Sequence, residues 1–464
     1  GGLGVLAGDH LKSASDLFLP LVAVGLFYRM GYIGQRIGPG GEQLAHDVEN
    51  DPRFLPLEQV KGGDSNALTI ELPLPGRQLT VQAWRARVGR VHLYLLDSNR
   101  PENRPEDRDI TRNLYGGNEE TRLLQEIVLG RGGKQLLKRL GIRPSVFHMN
   151  EGHAAFLTLE RVGQLAHEEG LTFDEAREFV RATTIFTTHT PVPAGHDRFS
   201  EDLMRRYFSD AANWVGVPWE RLMALGQADG EHAFNMTYLA LNFASFANGV
   251  SEMHGVASRK LLRPMWPGLL ESEVPIAAIV NGVHLSSWTS REIAKTLEVS
   301  ERPVRPEDFA RPLTNSQLLA LRATKRELRR HLLSEMRSRL SRSFVVRGDS
   351  PALLAKLLDG LDQEALWIGF ARRFAPYKRA TLLFHDLARL QGILADEKRP
   401  VRIVFAGKSH PDDREGADLV KKVVEFTQDP RLKGRIFFLE DYGIGTARLL
   451  VQGCDVWLNN PRKP

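Results

Sequence analysis

The chain has 464 residues, 42% hydrophobic and 26% charged, which is too long for one ordinary domain and too apolar for a disordered chain. The net charge of +5 is scattered rather than clustered, so it suits an anionic small substrate and gives no stripe for nucleic acid. The single cysteine, Cys454, excludes an intrachain disulfide and sets a cytoplasmic location as the expectation, and no apolar run reaches the ~20 residues a membrane helix needs.

The first stretch, "GGLGVLAGDHLKSASDLFLP", puts Gly1, Gly2 and Gly4 ahead of apolar residues at helical spacing from Val5 to Leu19. A glycine turn opening a helix offers free N–H groups and the positive end of the helix dipole, an arrangement that takes phosphate. Taken alone, the stretch reads more simply as a tight turn before a core helix. Strands are expected at 20–28, 79–88, 91–97, 145–150, 184–189 and 277–282, with helices at 153–170 and 173–184. A charged stretch, 289–350, carries Pro303, Pro306 and Pro312, and its run "KRELRRHLLSEMRSRLSR" (325–342) reads as a helix with a solvated basic face. Strands are expected again at 364–372, 401–407, 435–441 and 454–460, with helices at 377–397, 416–429 and 444–453. Strand–helix alternation predicts an α/β fold with parallel, doubly wound sheets, divided into domains 1–285 and 286–464, the second with a helical lead-in.

Ligands of open parallel sheets bind at the C-terminal ends of the strands. Six polar loops stand there: "HMNEGH", "THTPVPAGH", "NGVH", "ARRFAPYKR", "GKSH" and "EDYGIG". They come from both domains and predict a cleft. In "ARRFAPYKR", Arg372, Arg373, Lys378 and Arg379 place four cations at a strand end and an expected helix start. Cations are disfavoured at a helix N-terminus, so an anion among them is the better explanation than a solvated basic loop; arginine offers it a bidentate fork and lysine a point charge. "FAGKS" (405–409) is not a P-loop, because Arg402 stands where that motif needs its first glycine. His148, Glu151 and His153 lack metal-site spacing and are read as hydrogen-bonded, so no metal is expected. Cys454 is read as a packing residue.

The blocks "GGLGVLAGDHLKSASDL", "FHMNEGHAAF", "FTTHTPVPAGHDRF", "VNGVHLSSW", "GFARRFAPYKRA", "FAGKSHPDD" and "FLEDYGIGTARLLVQGCDVWLNNPRKP" together resemble the α-glucan (glycogen, maltodextrin) phosphorylase family in its short bacterial and archaeal form. The resemblance implies two Rossmann-like domains of GT-B type facing a cleft, pyridoxal 5'-phosphate as cofactor, and usually a homodimer. The implied reaction is reversible phosphorolysis of a terminal α-1,4-linked glucose to glucose 1-phosphate. By the same resemblance, Gly1, Gly2 and Leu3 lie against the cofactor phosphate and the glucose. Arg372 and Tyr442 touch the cofactor, and Arg373 and Lys378 hold two phosphates together. Asn281, His189 and Tyr377 line the glucose pocket, polar groups near His189 assist the oxocarbenium-like transition state, and Asn150 and Glu151 lie near the neighbouring glucan subsite. The family's cofactor lysine follows the block that ends this chain. The resemblance therefore implies an internal fragment that lacks that lysine, is inactive alone and has both domains incomplete at the chain ends. A sugar-nucleotide-dependent glucan synthase and a non-catalytic glucan-binding remnant are the alternatives.

Overall fold

The structure is a computed structural model and describes residues 2–63, 65–114, 117–192, 195–228, 230–299, 304–310 and 312–462. Gly1, expected at the cofactor, lies outside the described residues. Two compact units emerge, neither continuous in sequence. One gathers the residues up to Asp16, Tyr32–Val48 and the chain from Val283; the other gathers Leu17–Gly31 and Glu49–Gly282. Two short N-terminal pieces thus fold with the C-terminal half, where the sequence reading runs one domain unbroken from 1 to 285.

In chain order, helix α1 (Leu3–Asp16) leads to strand β1 (Val22–Leu26), the pair β2 (Gly34–Ile37) and β3 (Gln43–His46), and the run β4 (Thr69–Leu74), β5 (Arg77–Val88) and β6 (Val91–Asp97). Next come α2 (Glu119–Ile127), β7 (Phe147–Asn150), α3 (Phe156–Glu169), α4 (Phe173–Ala182), β8 (Thr184–Thr187), β9 (Phe246–Gly249), α5 (Glu252–Leu262) and β10 (Ile276–Ala278). The last part holds α6 (Asn315–Arg347), β11 (Leu366–Ala371), β12 (Val401–Ala406), α7 (Arg414–Gln428), β13 (Ile436–Leu439), α8 (Ile444–Gly453) and β14 (Val456–Trp457).

In the unit that contains Glu49–Gly282, β7 to β10 form a parallel sheet in the order β10-β9-β8-β7. Its core includes the fully buried rings of Phe156, Phe186, Phe208 and Phe234. Helix α4 starts where Thr172 and Glu175 form a reciprocal capping box. The second sheet of this unit departs from the expected parallel pattern: β4–β5 and β5–β6 are antiparallel, and only β1 joins β6 in parallel. The reason is local. Gly89 and Arg90 alone connect β5 to β6, too short a link for a crossover, and Gly89 supplies the positive φ of 61° that a tight hairpin uses.

In the other unit, β11 to β14 form a parallel sheet in the order β13-β12-β11-β14. Trp367, Phe370, Phe405 and Phe437 are fully buried, as a sheet covered on both faces requires. The 33-residue α6 buries Leu328, Leu332, Met336 and Leu340 and turns Arg326, Arg330 and Arg337 outward. Its one buried arginine, Arg329, pairs with Asp455 and donates to the carbonyls of Gln363 and Ala365. Burial pushes the Cys454 thiol up to about 12, which suits an inert packing residue. The helix expected over 377–397 is broken. Pro376–Lys378 makes a single 3-10 turn, Arg379 is left-handed at φ 49°, and regular helix covers only Leu387–Leu394. Arg379 explains the break, because its guanidinium donates to the carbonyls of Asn460 and Pro461 and ties the turn to the segment after β14. Among the described residues, no helix is long and apolar enough to cross a membrane.

Candidate active site

Each unit gathers its own group of the expected residues at strand ends. In the unit with β11–β14, Arg372 and Arg373 follow β11 directly, and Tyr377 and Lys378 occupy the 3-10 turn beyond. Arg372 donates to the side-chain oxygen of Asn459. The Lys378 ammonium lies 5.5 Å from the centre of the Tyr377 ring. Burial, with Arg372 and Arg373 nearby, pulls the Lys378 amine down to about 8. Burial also lowers Arg372. Among the described residues, no acid forms an ion pair with Arg372, Arg373 or Lys378. Three cations crowd together without a neutralising carboxylate, an arrangement that an anion stabilises. Tyr442 follows β13 on the same sheet and packs, half-buried, against the core. Gly2 precedes α1 with φ 72°, and its carbonyl accepts from the N–H of Leu6 at 3.3 Å; Leu3 opens the helix.

A polar staple that the sequence reading missed holds these loops. The Gln35 side chain donates to the carbonyl of Gly407 at 2.9 Å and accepts from the N–H of Asp441 at 3.0 Å. The Gln43 side chain donates to Ser409 Oγ at 2.8 Å and accepts from the N–H of Ser409 at 3.0 Å. Buried Lys408 donates to Asp441 at 2.6 Å and to the carbonyl of Ile33 at 2.7 Å. The β2–β3 hairpin therefore ties the loop after β12 to the loop that carries Tyr442. The available signal is two glutamines in a short hairpin, and only the burial of Gln35 and half-burial of Gln43 reveal that each needs partners.

In the other unit, Asn150 ends β7 with Glu151 just beyond it, and His189 follows β8. Asn150 Oδ1 accepts from His189 Nε2 at 2.7 Å, and Glu151 Oε1 accepts from the His189 backbone N–H at 2.5 Å. Burial, with His254 and His148 nearby, lowers His189 to about 4, so its imidazole is neutral at pH 7. Asn281 is exposed beyond β10, and its side chain bonds to neither Asn150 nor His189. His148 pairs with Thr187 Oγ1 at 2.8 Å, and His153 pairs with Asp197 at 2.9 Å.

Behind this group, donor atoms of Glu126, His153 and Asp197 lie within 4.8 Å of one another. The Arg122 guanidinium donates to Asp197 at 2.8 Å, so two carboxylates face an arginine and a histidine. Burial alone would lower His153, but its bond to Asp197 and the nearby Glu126 side chain, 3.7 Å away, outweigh that and raise it to about 10. Unfolded histidine titrates near about 6.5, so His153 stabilises the fold fully below that pH and the contribution fades as pH rises toward 10. In denaturant titrations, His153→Gln is expected to be less stable than wild type at pH 6, with the gap narrowing at pH 10. The pairs draw on residues 27 to 75 positions apart, which no local motif reveals.

Arg372, Arg373 and Lys378 thus stand at the C-terminal edge of a parallel sheet, the edge at which open α/β sheets bind ligands. Residues 134–458 match the family model for carbohydrate phosphorylases, and the chain belongs to that family. The whole chain is 43% identical over 481 residues to a glycogen phosphorylase of Mycobacterium tuberculosis and 42% identical over 471 residues to a maltodextrin phosphorylase of Thermococcus litoralis. It is 36% identical over 475 residues to a glycogen phosphorylase of Aquifex aeolicus, covering 68% of that protein. The chain spans 55% of the mycobacterial and Thermococcus proteins, about half their length.

Proposed function

We propose that the protein is an α-1,4-glucan phosphorylase that transfers a terminal glucose reversibly onto inorganic phosphate. The observation that carries this reading is the group Arg372, Arg373 and Lys378, three neighbouring cations without an acid partner among the described residues, in a chain of the carbohydrate phosphorylase family. The group fits a phosphate-bearing cofactor as well as a phosphate substrate. Arg372 and Tyr442 would touch pyridoxal 5'-phosphate, and Gly1 and Gly2 are assigned to its phosphate. Arg373 and Lys378 would hold the substrate phosphate beside it against charge repulsion. When bound, that cofactor supplies a second phosphate, with a pKa of about 6, able to exchange a proton with the first. His189, Asn281, Tyr377 and Leu3 are assigned to the glucose, and Asn150 to the next glucan unit. A neutral His189 keeps positive charge away from an oxocarbenium-like centre. The family's two-domain cleft, a homodimer and a cytoplasmic location belong to the same proposal.

The test is release of glucose 1-phosphate from maltodextrin and inorganic phosphate, without nucleotide, by the protein at its relatives' length. Product that depends on pyridoxal phosphate is expected. Transfer only from a sugar nucleotide would identify a synthase, and glucan binding without turnover would identify a binding remnant.

A further inference from the structure

Glu151 stands out among the residues with unusual backbone. Its φ of 74° and ψ of 170° lie in a region that essentially only glycine occupies. Its side chain is also buried, the whole residue being 2% exposed. A turn that needed only this backbone shape would be served better by glycine. A buried carboxylate adds a second cost, since desolvation disfavours its charge. Both costs persist at one residue, so the side chain must do something glycine cannot.

What it does is visible in its partners. Glu151 Oε1 accepts from the backbone N–H of His189 at 2.5 Å and from Thr190 Oγ1 at 3.2 Å. Its own N–H donates to the carbonyl of Thr187 at 2.8 Å. Glu151 therefore bridges the end of β7 to the chain just beyond β8, on both sides of Thr188. Asn150, one residue earlier, holds the far nitrogen of the same histidine ring at 2.7 Å. Consecutive residues thus fix His189 at its main chain and at its imidazole. With Asn150 Oδ1 as acceptor, Nε2 carries the ring proton and Nδ1 is left as an acceptor. The remaining oxygen, Glu151 Oε2, is buried without a hydrogen-bond partner, so the site tolerates an unsatisfied polar atom to keep the grip.

We propose that Glu151 is a positioning residue, which sets the place of His189 through the main chain, so that its ring reaches the Asn150 acceptor that fixes the tautomer, rather than by touching glucan. This rests on the phosphorylase reading only in giving His189 a role in the reaction. The test therefore reads His189 directly, by ¹⁵N-histidine NMR on the chain as it stands, alongside thermal unfolding. In wild type, His189 is expected to remain neutral in its Nε2–H form down to about pH 4. In Glu151→Gly, which suits the backbone, the melting temperature should stay level or rise. His189 should then show mixed tautomers and a pKa moved toward 6.5. Glu151→Gln keeps an oxygen acceptor and should preserve the wild-type His189 signal. Unchanged His189 signals in Glu151→Gly would overturn the proposal, and so would a lower melting temperature. The same holds if Glu151→Gln shifts His189 as far as glycine does. None of these readouts involves turnover, so failure here and failure of the phosphorylase assay are separate results.

Discussion

Lys378→Ala is expected to weaken binding of inorganic phosphate about 10- to 100-fold, because a hydrogen bond to a charged group contributes about 1.5–3 kcal/mol. Lys378 lies close to Arg372 and Arg373 with no acid among the described residues pairing any of the three, and its amine is already pulled to about 8. Two consequences have opposite signs. Without phosphate, the alanine variant should be slightly more stable than wild type, since it removes a half-buried amine from beside two guanidinium groups. With phosphate, wild type should gain stability and the variant should gain little. The pH dependence follows from the lowered value. An unfolded lysine keeps its proton to about 10.4, so between about pH 8 and 10 the unfolded chain binds more protons. The contribution of Lys378 to stability therefore rises with pH across that window. Phosphate binding runs the other way, falling as the pH passes about 8 and the amine loses its charge. Thermal shifts at pH 7 and pH 9, with and without phosphate, separate these effects. An equal phosphate shift in wild type and Lys378→Ala would remove the residue from the anion site.

The cations were legible because a run of like charge after an apolar strand is a local signal. Their backbone was not. The spacing after Pro376 looks helical, yet Arg379 turns left-handed to reach carbonyls some 80 residues later. The parallel sheets were legible from buried apolar runs such as "LWIGFA" and "VRIVFA", whose strands pair in register over six residues. The antiparallel β5–β6 pair departs from the parallel pattern that strand–helix alternation predicts, and its signal is the two-residue link between the strands. For His189 and Asn150, the strand-end position was visible in sequence. The inward turn of Glu151 was not, since nothing in a residue's identity announces a positive φ on a non-glycine. The Gln35 and Gln43 staple escaped for a different reason. Its partners at Gly407, Ser409 and Asp441 stand some 370 to 400 residues away, and polar residues in a hairpin ordinarily face water.

Gly407→Ala is expected to destabilise its unit by about 3 kcal/mol or more, combining overpacking of about 1–3 kcal/mol with backbone strain of similar size. Gly407 has φ 145°, and a Cβ there would lie 2.0 Å from the carbonyl oxygen of Arg372 and 3.0 Å from the Phe374 ring. Neither neighbour can move freely. Arg372 donates its N–H to Ala406 at 3.2 Å, and Phe374 donates to Lys408 at 2.9 Å, so the two chains cross with Gly407 pressed between their bonds. The carbonyl of Gly407 is in turn held by Gln35. An added methyl must push the end of β11 away from the end of β12, and Arg372 is the first residue to move. Loss of phosphate binding should therefore accompany loss of stability. Gly392→Ala is the matching control, since an added Cβ there meets nothing within 4 Å on a short helix. That change should stabilise by about 0.5–1 kcal/mol and leave phosphate binding intact. Were Gly407→Ala as stable as wild type and still bound phosphate, the close crossing at Arg372 could not be what fixes the cations.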